Sequence, residues 1–406
     1  MTSFVQSSNS MTKEELIYQI DELFNESLES VMERERTTFD RLAGDNCNEL
    51  ILYGTGKLGR RTLLGLRKLG IKPLAFCDKN SGTWGKDVEG LKVLSPEEAV
   101  KTYGAKGTFV VTIWNDKLGH PLNEVSRGLK SWGDVKIVSF LSLYWKYPKQ
   151  FLPYFSADLP QNTHRNKNQI KFVANLLTDS YSRECFLGHI KWRLNGDFKY
   201  LLCAIDERQY FTKSIYNIAT DEVFVDCGAY NGDTLRDFLM LYNSIFSKYY
   251  ALEPDSKNRE KLNRYIDSLE YTIRSKINVL DVAASNENGK LKFNNSGAID
   301  SSVSDQGDSE VDCMTLDKVA GKNPISFIKI DIEGAELNAI NGAKRVISKF
   351  SPIIAIAAYH NPNDIWLILY EIQKIYDSYL YFIRPHAAGG WENILYCIPH
   401  NRSTHN

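Results

Sequence analysis

The sequence predicts an α/β protein built on two Rossmann-like parallel sheets, with a helical N-terminal arm and a helical connector. Three observations lead there. Short apolar runs alternate with helical patterns over residues 49–140 and again over 221–400. Two of the runs pass into glycine-rich turns that open helices, at Gly54-Thr55-Gly56 and at Gly228-Ala229-Tyr230. The last two runs, Leu380–Ile383 and Ile394–Ile398, leave little room for a helix between them, so the second sheet closes on an antiparallel hairpin. At ~150 residues per domain, 406 residues hold two or three such units. The divisions fall at 1–46 (arm), 47–145 (small first sheet), 146–220 (connector) and 221–406 (second sheet).

Bulk composition narrows the class. Hydrophobic residues at 43% and charged residues at 24% fit a globular chain and exclude a disordered or fibrous one. Lys and Arg number 49 against 50 Asp and Glu, a net charge of −1. No global basic field exists to gather nucleic acid or anionic lipid, so an anionic ligand must be held by local geometry. The seven cysteines are scattered, odd in number and never spaced CxxC. That points to reduced thiols and a cytoplasmic setting, without a disulfide framework or zinc site. The start, MTSFVQSSNSMTKEE, has no apolar core after a basic segment, so no secretory signal is expected. The longest apolar stretch, Pro352 to Ala358, is too short to span a bilayer.

Taken in order, residues 1–10 are small and polar and expected to lack structure. Residues 11–42 read as one helix, with Ile17, Ile20, Phe24 and Val31 near a heptad seam and acids on the polar face. Such a helix either packs on its own domain or serves as the arm of a homodimer. Glu49 to Tyr53 is a buried strand that runs into Gly54-x-Gly56-Lys57-x-Gly59 and a helical pattern ending at Gly70. Ile71 to Cys77, Thr108 to Trp114 and Val135 to Phe140 are further strands. Gly54, Gly56 and Gly59 after a strand, with Asp78 about 20 residues on, meet the dinucleotide fingerprint. The region, about 95 residues, is too small for both halves of a dinucleotide fold. The segment ILYGTGKLGRRTLLGLRKLGIKPLAFCDKN also resembles the small Rossmann-like domain at the front of sugar-modifying enzymes. That resemblance implies a second ligand of nucleotide-sugar type at Gly54, Gly56, Lys57, Gly59 and Asp78, with Arg60 and Arg61 nearby. A purely structural domain and an NAD-dependent one stay open beside it. In the connector, Gln161 to Asn168 reads as a polar linker.

The second sheet carries the chemistry. Its strands read at Val223–Cys227, Tyr249–Leu252, Ile277–Asp281, Phe327–Asp331 and Ile353–Ala358. The first ends in Asp226-Cys227-Gly228-Ala229-Tyr230-Asn231-Gly232-Asp233-Thr234. A carboxylate sits at the tip, and Gly228 and Gly232 let the backbone approach a ligand. A phosphate cradle would present bare N–H groups and a lysine instead. An acid here suits an amine, a pair of hydroxyls or a sulfonium. The second strand ends in Glu253-Pro254-Asp255, where Glu253 stands as an acceptor for ribose hydroxyls. Asp281-Val282-Ala283-Ala284 ends the third with small residues against which an adenine can lie. In Lys329-Ile330-Asp331-Ile332-Glu333, three ionisable groups alternate with isoleucines, an arrangement costly unless they serve each other or a ligand.

With these stretches in view, residues from about 205 to 400 resemble the FkbM family of S-adenosylmethionine (AdoMet)-dependent methyltransferases. VDCGAYNGDT, ALEPD, VDCMTLDKV, IKIDIEGAELNAI, AAYHNPNDIW and FIRPHAAGGWENILYCIP carry the resemblance. It implies a class I methyltransferase sheet of seven strands and AdoMet as cofactor. It also implies O-methylation, commonly of sugars in glycans or of secondary-metabolite hydroxyls. Asp226, Gly228, Gly232 and Glu253 would hold AdoMet, with Tyr230, Asp233, Thr234, Pro254, Asp281 and Ala283 around it. Asp331, Glu333 and Glu336 carry the family's acidic signature. The acceptor would be a small molecule, a nucleotide-sugar or a glycan precursor. His360, at the end of the fifth strand beside Asp331, is the first choice of general base. A divalent cation on Asp331 or Glu333 is the alternative. Lys329 either serves the site or pairs with Asp331 or Glu333. His386, before Gly389-Gly390, belongs to a lid or acceptor loop. Trp391 and Tyr230 either stack on a sugar ring or pack.

Overall fold

The computed structural model describes residues 10–114, 121–242, 244–294, 302–303 and 309–405. The segment 1–9, within the stretch expected to lack structure, lies outside the described residues.

The first sheet has six strands: β1 (Leu50–Tyr53), β2 (Ala75–Cys77), β3 (Asp87–Val88), β4 (Leu91–Leu94), β5 (Thr108–Val111) and β6 (Lys136–Ser139). They lie in the order β3-β4-β2-β1-β5-β6, parallel except for β3. β1, β2 and β5 are buried along their whole length, because helices cover both faces of a parallel sheet. β2 starts later than Ile71, since Pro73 has no N–H for the ladder. The β3–β4 hairpin turns on Glu89 and Gly90, both at positive φ.

The second sheet also follows the prediction. Its parallel strands are β7 (Val223–Cys227), β8 (Lys248–Leu252) and β9 (Ile277–Leu280) on one side, with β14 (Phe327–Ile330) and β15 (Ile353–Ala357) on the other. Antiparallel β16 (Tyr379–Pro385) and β17 (Asn393–Pro399) complete the order β16-β17-β15-β14-β7-β8-β9. The chain leaves β7 toward β8 and later returns to its other edge as β14. That reversal opens a crevice at the carboxyl ends of β7 and β14. Between the halves lies a small sheet of β10 (Ala283–Ala284), β11 (Gly289–Asn294), β12 (Ser302–Val303) and β13 (Ser309–Met314).

Two expectations are corrected. Residues 11–42 form two helices, Lys13–Leu23 and Leu28–Ala43. Ser27 caps the second by accepting the Ser30 N–H at 3.1 Å, which stops the first from running through. Leu16, Ile20, Phe24 and Phe39 are buried in the chain's own core. The polar linker at 161–168 is helical, as Pro160–Arg165 followed by Lys167–Ala174. Buried Glu35 holds it by accepting from the Gln161 backbone and side chain, and His164 Nε2 meets the Glu26 carbonyl at 2.8 Å. The connector's main helix, Ser180–Asn195, packs on β16. All seven cysteines are free. Among the described residues no helix is long and apolar enough to cross a membrane.

Candidate active site

The crevice at β7, β8 and β14 holds a cavity of about 240 Å³. Among the described residues six carboxylates line it (Asp233, Asp237, Glu253, Asp331, Glu333 and Glu392) against a single cation, Lys329. Gly228, Tyr230, Thr234 and Pro254 form one side, and Val282, Ala283 and Ala284 an apolar wall.

The loop after β7 is shaped by positive φ angles at Gly228, Tyr230 and Gly232. A Cβ on Gly228 would stand 2.0 Å from the Asp331 carbonyl oxygen, so only glycine fits. Glu253 is 5% exposed and accepts the backbone N–H of Tyr230 at 2.7 Å and of Asp255 at 2.9 Å. Burial pushes its pKa up to about 7. Pro254 precedes the helix Ser256–Asp267 by two residues, outside its first turn, and Asp255 supplies the cap.

Asp226, expected to grip the cofactor, does not line the cavity. It is fully buried, 3.1 Å from Lys329 Nζ and 2.7 Å from the Tyr249 hydroxyl. Lys329 thus pairs across the ladder with Asp226, not with Asp331 or Glu333. Its Nζ also donates to the Gly228 carbonyl at 2.7 Å, which ties β14 to the loop. Burial alone would strip the lysine's proton, but Asp226 and Asp331 keep its pKa above the ordinary value. Asp281 is exposed and pairs with Arg259 at 2.6 Å, outside the cavity, because the strand has ended and its side chain turns outward. Gly232 is likewise absent from the lining; it sits at the N-cap of the helix Asp233–Leu241 against Leu262.

Beyond β14 the chain turns at Glu333 and Gly334, both at positive φ, and brings Asp331 and Glu333 to the cavity edge. His360, 7% exposed, lies behind them. Its Nδ1 meets Glu336 Oε1 at 2.8 Å, and its Nε2 stands 3.5 Å from both Asp331 Oδ1 and Glu333 Oε2. Burial opposes a charge on the ring, but Glu336, Asp331 and Glu333 outweigh it and carry the pKa to about 10. The ring does not line the cavity, whose edge Asp331 and Glu333 occupy. The structure thus places His360 behind the cavity wall, not at the rim expected of a general base. Glu336 does more than face a helix dipole: it also accepts the Ile332 and Gly334 N–H groups.

The sequence reading missed Glu392 and Tyr210. Glu392, at φ 52°, reaches the cavity from the turn between β16 and β17, bonded to Gln209 and to the Tyr359 hydroxyl. Burial, then Asp331, raises its pKa. Tyr210 donates to Asp331 Oδ2 at 2.5 Å from the connector. Neither sits at a strand end; a charged residue after Gly389-Gly390-Trp391 was the one available signal for Glu392.

His386 is structural, between the Tyr396 hydroxyl at 2.9 Å and the Glu207 carbonyl at 3.3 Å. Gly389 and Trp391 pack on Trp114, so that loop is anchored. At the first sheet, both Asp78 oxygens are engaged: Oδ2 by the Thr55 backbone and hydroxyl at 2.9 and 2.7 Å, Oδ1 by the Asn80 N–H at 2.9 Å. Arg61 stacks on Tyr154. Gly59 is needed for packing, since a Cβ would meet the Gly54 carbonyl at 2.0 Å, while Gly56 precedes the helix Lys57–Lys68 uncapped by a side chain.

Residues 226–389 match the family described as the methyltransferase FkbM domain. The crystal structure of methyltransferase FkbM from Methylobacillus flagellatus is 21% identical, with a TM-score of 0.78 over 94% of this chain and 100% of that one. The fold is thus shared across both sheets and the connector. UDP-D-quinovosamine 4-dehydrogenase from Vibrio fischeri (18% identity, 22% of this chain, 75% of that one, TM-score 0.20) overlaps only weakly. So does a candidate methyltransferase from Streptococcus mutans in complex with SAH (10%, 48%, 98%, 0.29). A search of curated proteins returns no match.

Proposed function

We propose that the protein is an AdoMet-dependent O-methyltransferase acting on a hydroxyl of a sugar, nucleotide-sugar or glycan precursor. One observation carries the reading: a strand-end cavity lined by six carboxylates whose one lysine is tied to Asp226. Such a lining favours a cation with hydroxyl donors. When bound, AdoMet supplies a methyl group on a cationic sulfur. Glu253 takes the ribose hydroxyls with the oxygen lone pairs its two backbone partners leave over. Val282, Ala283 and Ala284 receive the adenine. Gly228 and Tyr230 bring backbone close to the amino-acid portion, with Asp233 and Asp331 facing its charge. Glu392, a carboxylate whose pKa burial has raised, takes the acceptor's proton. Carboxylates at the mouth suit a polyhydroxylated acceptor, whose hydroxyls donate to them.

Calorimetry with S-adenosylhomocysteine tests the cofactor site. Wild type binds, and Glu253→Ala loses at least tenfold in affinity; absence of binding in wild type would remove the reading. For the acceptor, nucleotide-sugars and sugars incubated with AdoMet are weighed by mass spectrometry for the gain of one methyl group.

A further inference from the structure

We propose that Asp331, Glu333 and His360 form a divalent-cation site at the inner edge of the cavity. One oxygen from each carboxylate and one ring nitrogen lie within 4.8 Å of one another. A cluster of acids alone would say little; the histidine makes the case. Its Nδ1 is fixed on Glu336 at 2.8 Å, and metal-bound histidines use such a carboxylate on their other nitrogen to set their tautomer. That leaves Nε2 buried, with no hydrogen-bond partner, aimed at two carboxylate oxygens. Asp331 Oδ1 is also buried without a hydrogen bond. Both Nε2–oxygen separations are 3.5 Å. That is too long for a good N–H···O bond, which spans about 2.7–3.2 Å. It matches two atoms sharing one ion, since ligands ~2.1 Å from a metal lie about 3 to 3.5 Å apart. Two oxygens and one imidazole nitrogen suit a first-row divalent ion of the Mn²⁺ or Zn²⁺ class. Asp331 and Glu333 face the cavity while His360 lies behind, so the open coordination positions point toward the bound molecules. There the ion would draw in an acceptor hydroxyl and lower its pKa. The ion's service to the acceptor rests on the methyltransferase reading; its binding does not.

The test is calorimetric titration of EDTA-stripped protein with MnCl₂ and with ZnCl₂, each with and without S-adenosylhomocysteine. We expect one equivalent bound by wild type, weakened at least tenfold in Glu333→Gln and in His360→Gln. Unchanged S-adenosylhomocysteine affinity certifies that each variant is folded; should His360→Gln fail that check, Glu333→Gln decides. Uptake of neither ion by wild type would overturn the proposal, and so would variants that bind as wild type does, because the ion would then sit elsewhere. Ion uptake without S-adenosylhomocysteine binding would uphold the metal site and remove the cofactor reading alone.

Discussion

Glu253 shows how one buried side chain sets a pH response. Its pKa, near 7, lies above its unfolded value of about 4.5, because burial penalises the charge. A raised acid favours the folded state fully only below the unfolded pKa. Stability is then lost as pH climbs from about 4.5 to 7, by at most about 3 kcal/mol. Ribose hydroxyls reverse the preference, since they donate to the charged form. Affinity for S-adenosylhomocysteine should therefore increase with pH up to about 7, close to tenfold per pH unit at the acid end, and level off above. Glu253→Gln should bind weakly at every pH, which calorimetry at pH 5.5, 6.5 and 8 reads directly. Gly228→Ala puts a Cβ 2.0 Å from the Asp331 carbonyl at a φ of +81°. It should cost more than about 2 kcal/mol in urea unfolding, the left-handed penalty alone being ~1–2. Asp226 and Glu253 mark the limit of reading residues in a chain. Both are acids at strand ends, and the pattern says only that each sits at the crevice. Which one turns inward depended on Lys329, a strand away across the ladder, and no local periodicity encodes that pairing.

Elements were legible where burial made them uniform. The parallel strands are apolar runs ending in an acid or glycine, so their order and the terminal hairpin follow from the chain. β11 and β13 alternate lysine and glutamate with apolar residues on a small, half-exposed sheet, and their polar face disguised them. The helix Pro160–Arg165 has no apolar stripe; it forms because Glu35 and the Glu26 carbonyl, far away in the chain, satisfy its polar groups. The longest connector helix depends on a similar distant partner. Asp179 accepts the Ser182 N–H at 2.9 Å as its cap and also pairs with Arg384 of β16. Arg384 is 5% exposed, so removing the acid strands a buried guanidinium. Asp179→Ala should lower stability by about 3–5 kcal/mol. Asp179→Asn, which keeps the cap, should lose less, and the gap between their urea midpoints measures the cap apart from the ion pair. Equal losses would assign the whole effect to the ion pair.

Across the whole molecule, one indole links the two sheets. Trp114 follows β5 of the first sheet, is 5% exposed and donates its Nε1–H to the Gly389 carbonyl at 2.8 Å. Its ring lies 5.2 Å from that of Trp391, which in turn contacts Tyr359. Gly389 and Trp391 belong to the turn that delivers Glu392 to the cavity. Read in the chain, Gly389-Gly390-Trp391 suggested a mobile lid or a sugar platform, because glycines free of context read as flexible. The packing that fixes them comes from a strand in the other unit. The first sheet therefore has a second use besides any ligand of its own: it holds one wall of the crevice. Trp114→Phe deletes the N–H while leaving most of the packing, at about 1 kcal/mol. Trp114→Ala opens a cavity as well and should cost about 3–5 kcal/mol. If the indole positions Glu392, turnover at saturating AdoMet should drop at least fivefold in Trp114→Phe while S-adenosylhomocysteine affinity holds, since Glu253 and Gly228 hang from other strands. Glu392→Gln should show the same division between turnover and affinity, and in the double variant the two losses should fail to add, as expected of groups that act through one another. Additive losses would mean that Trp114 merely packs the two units together.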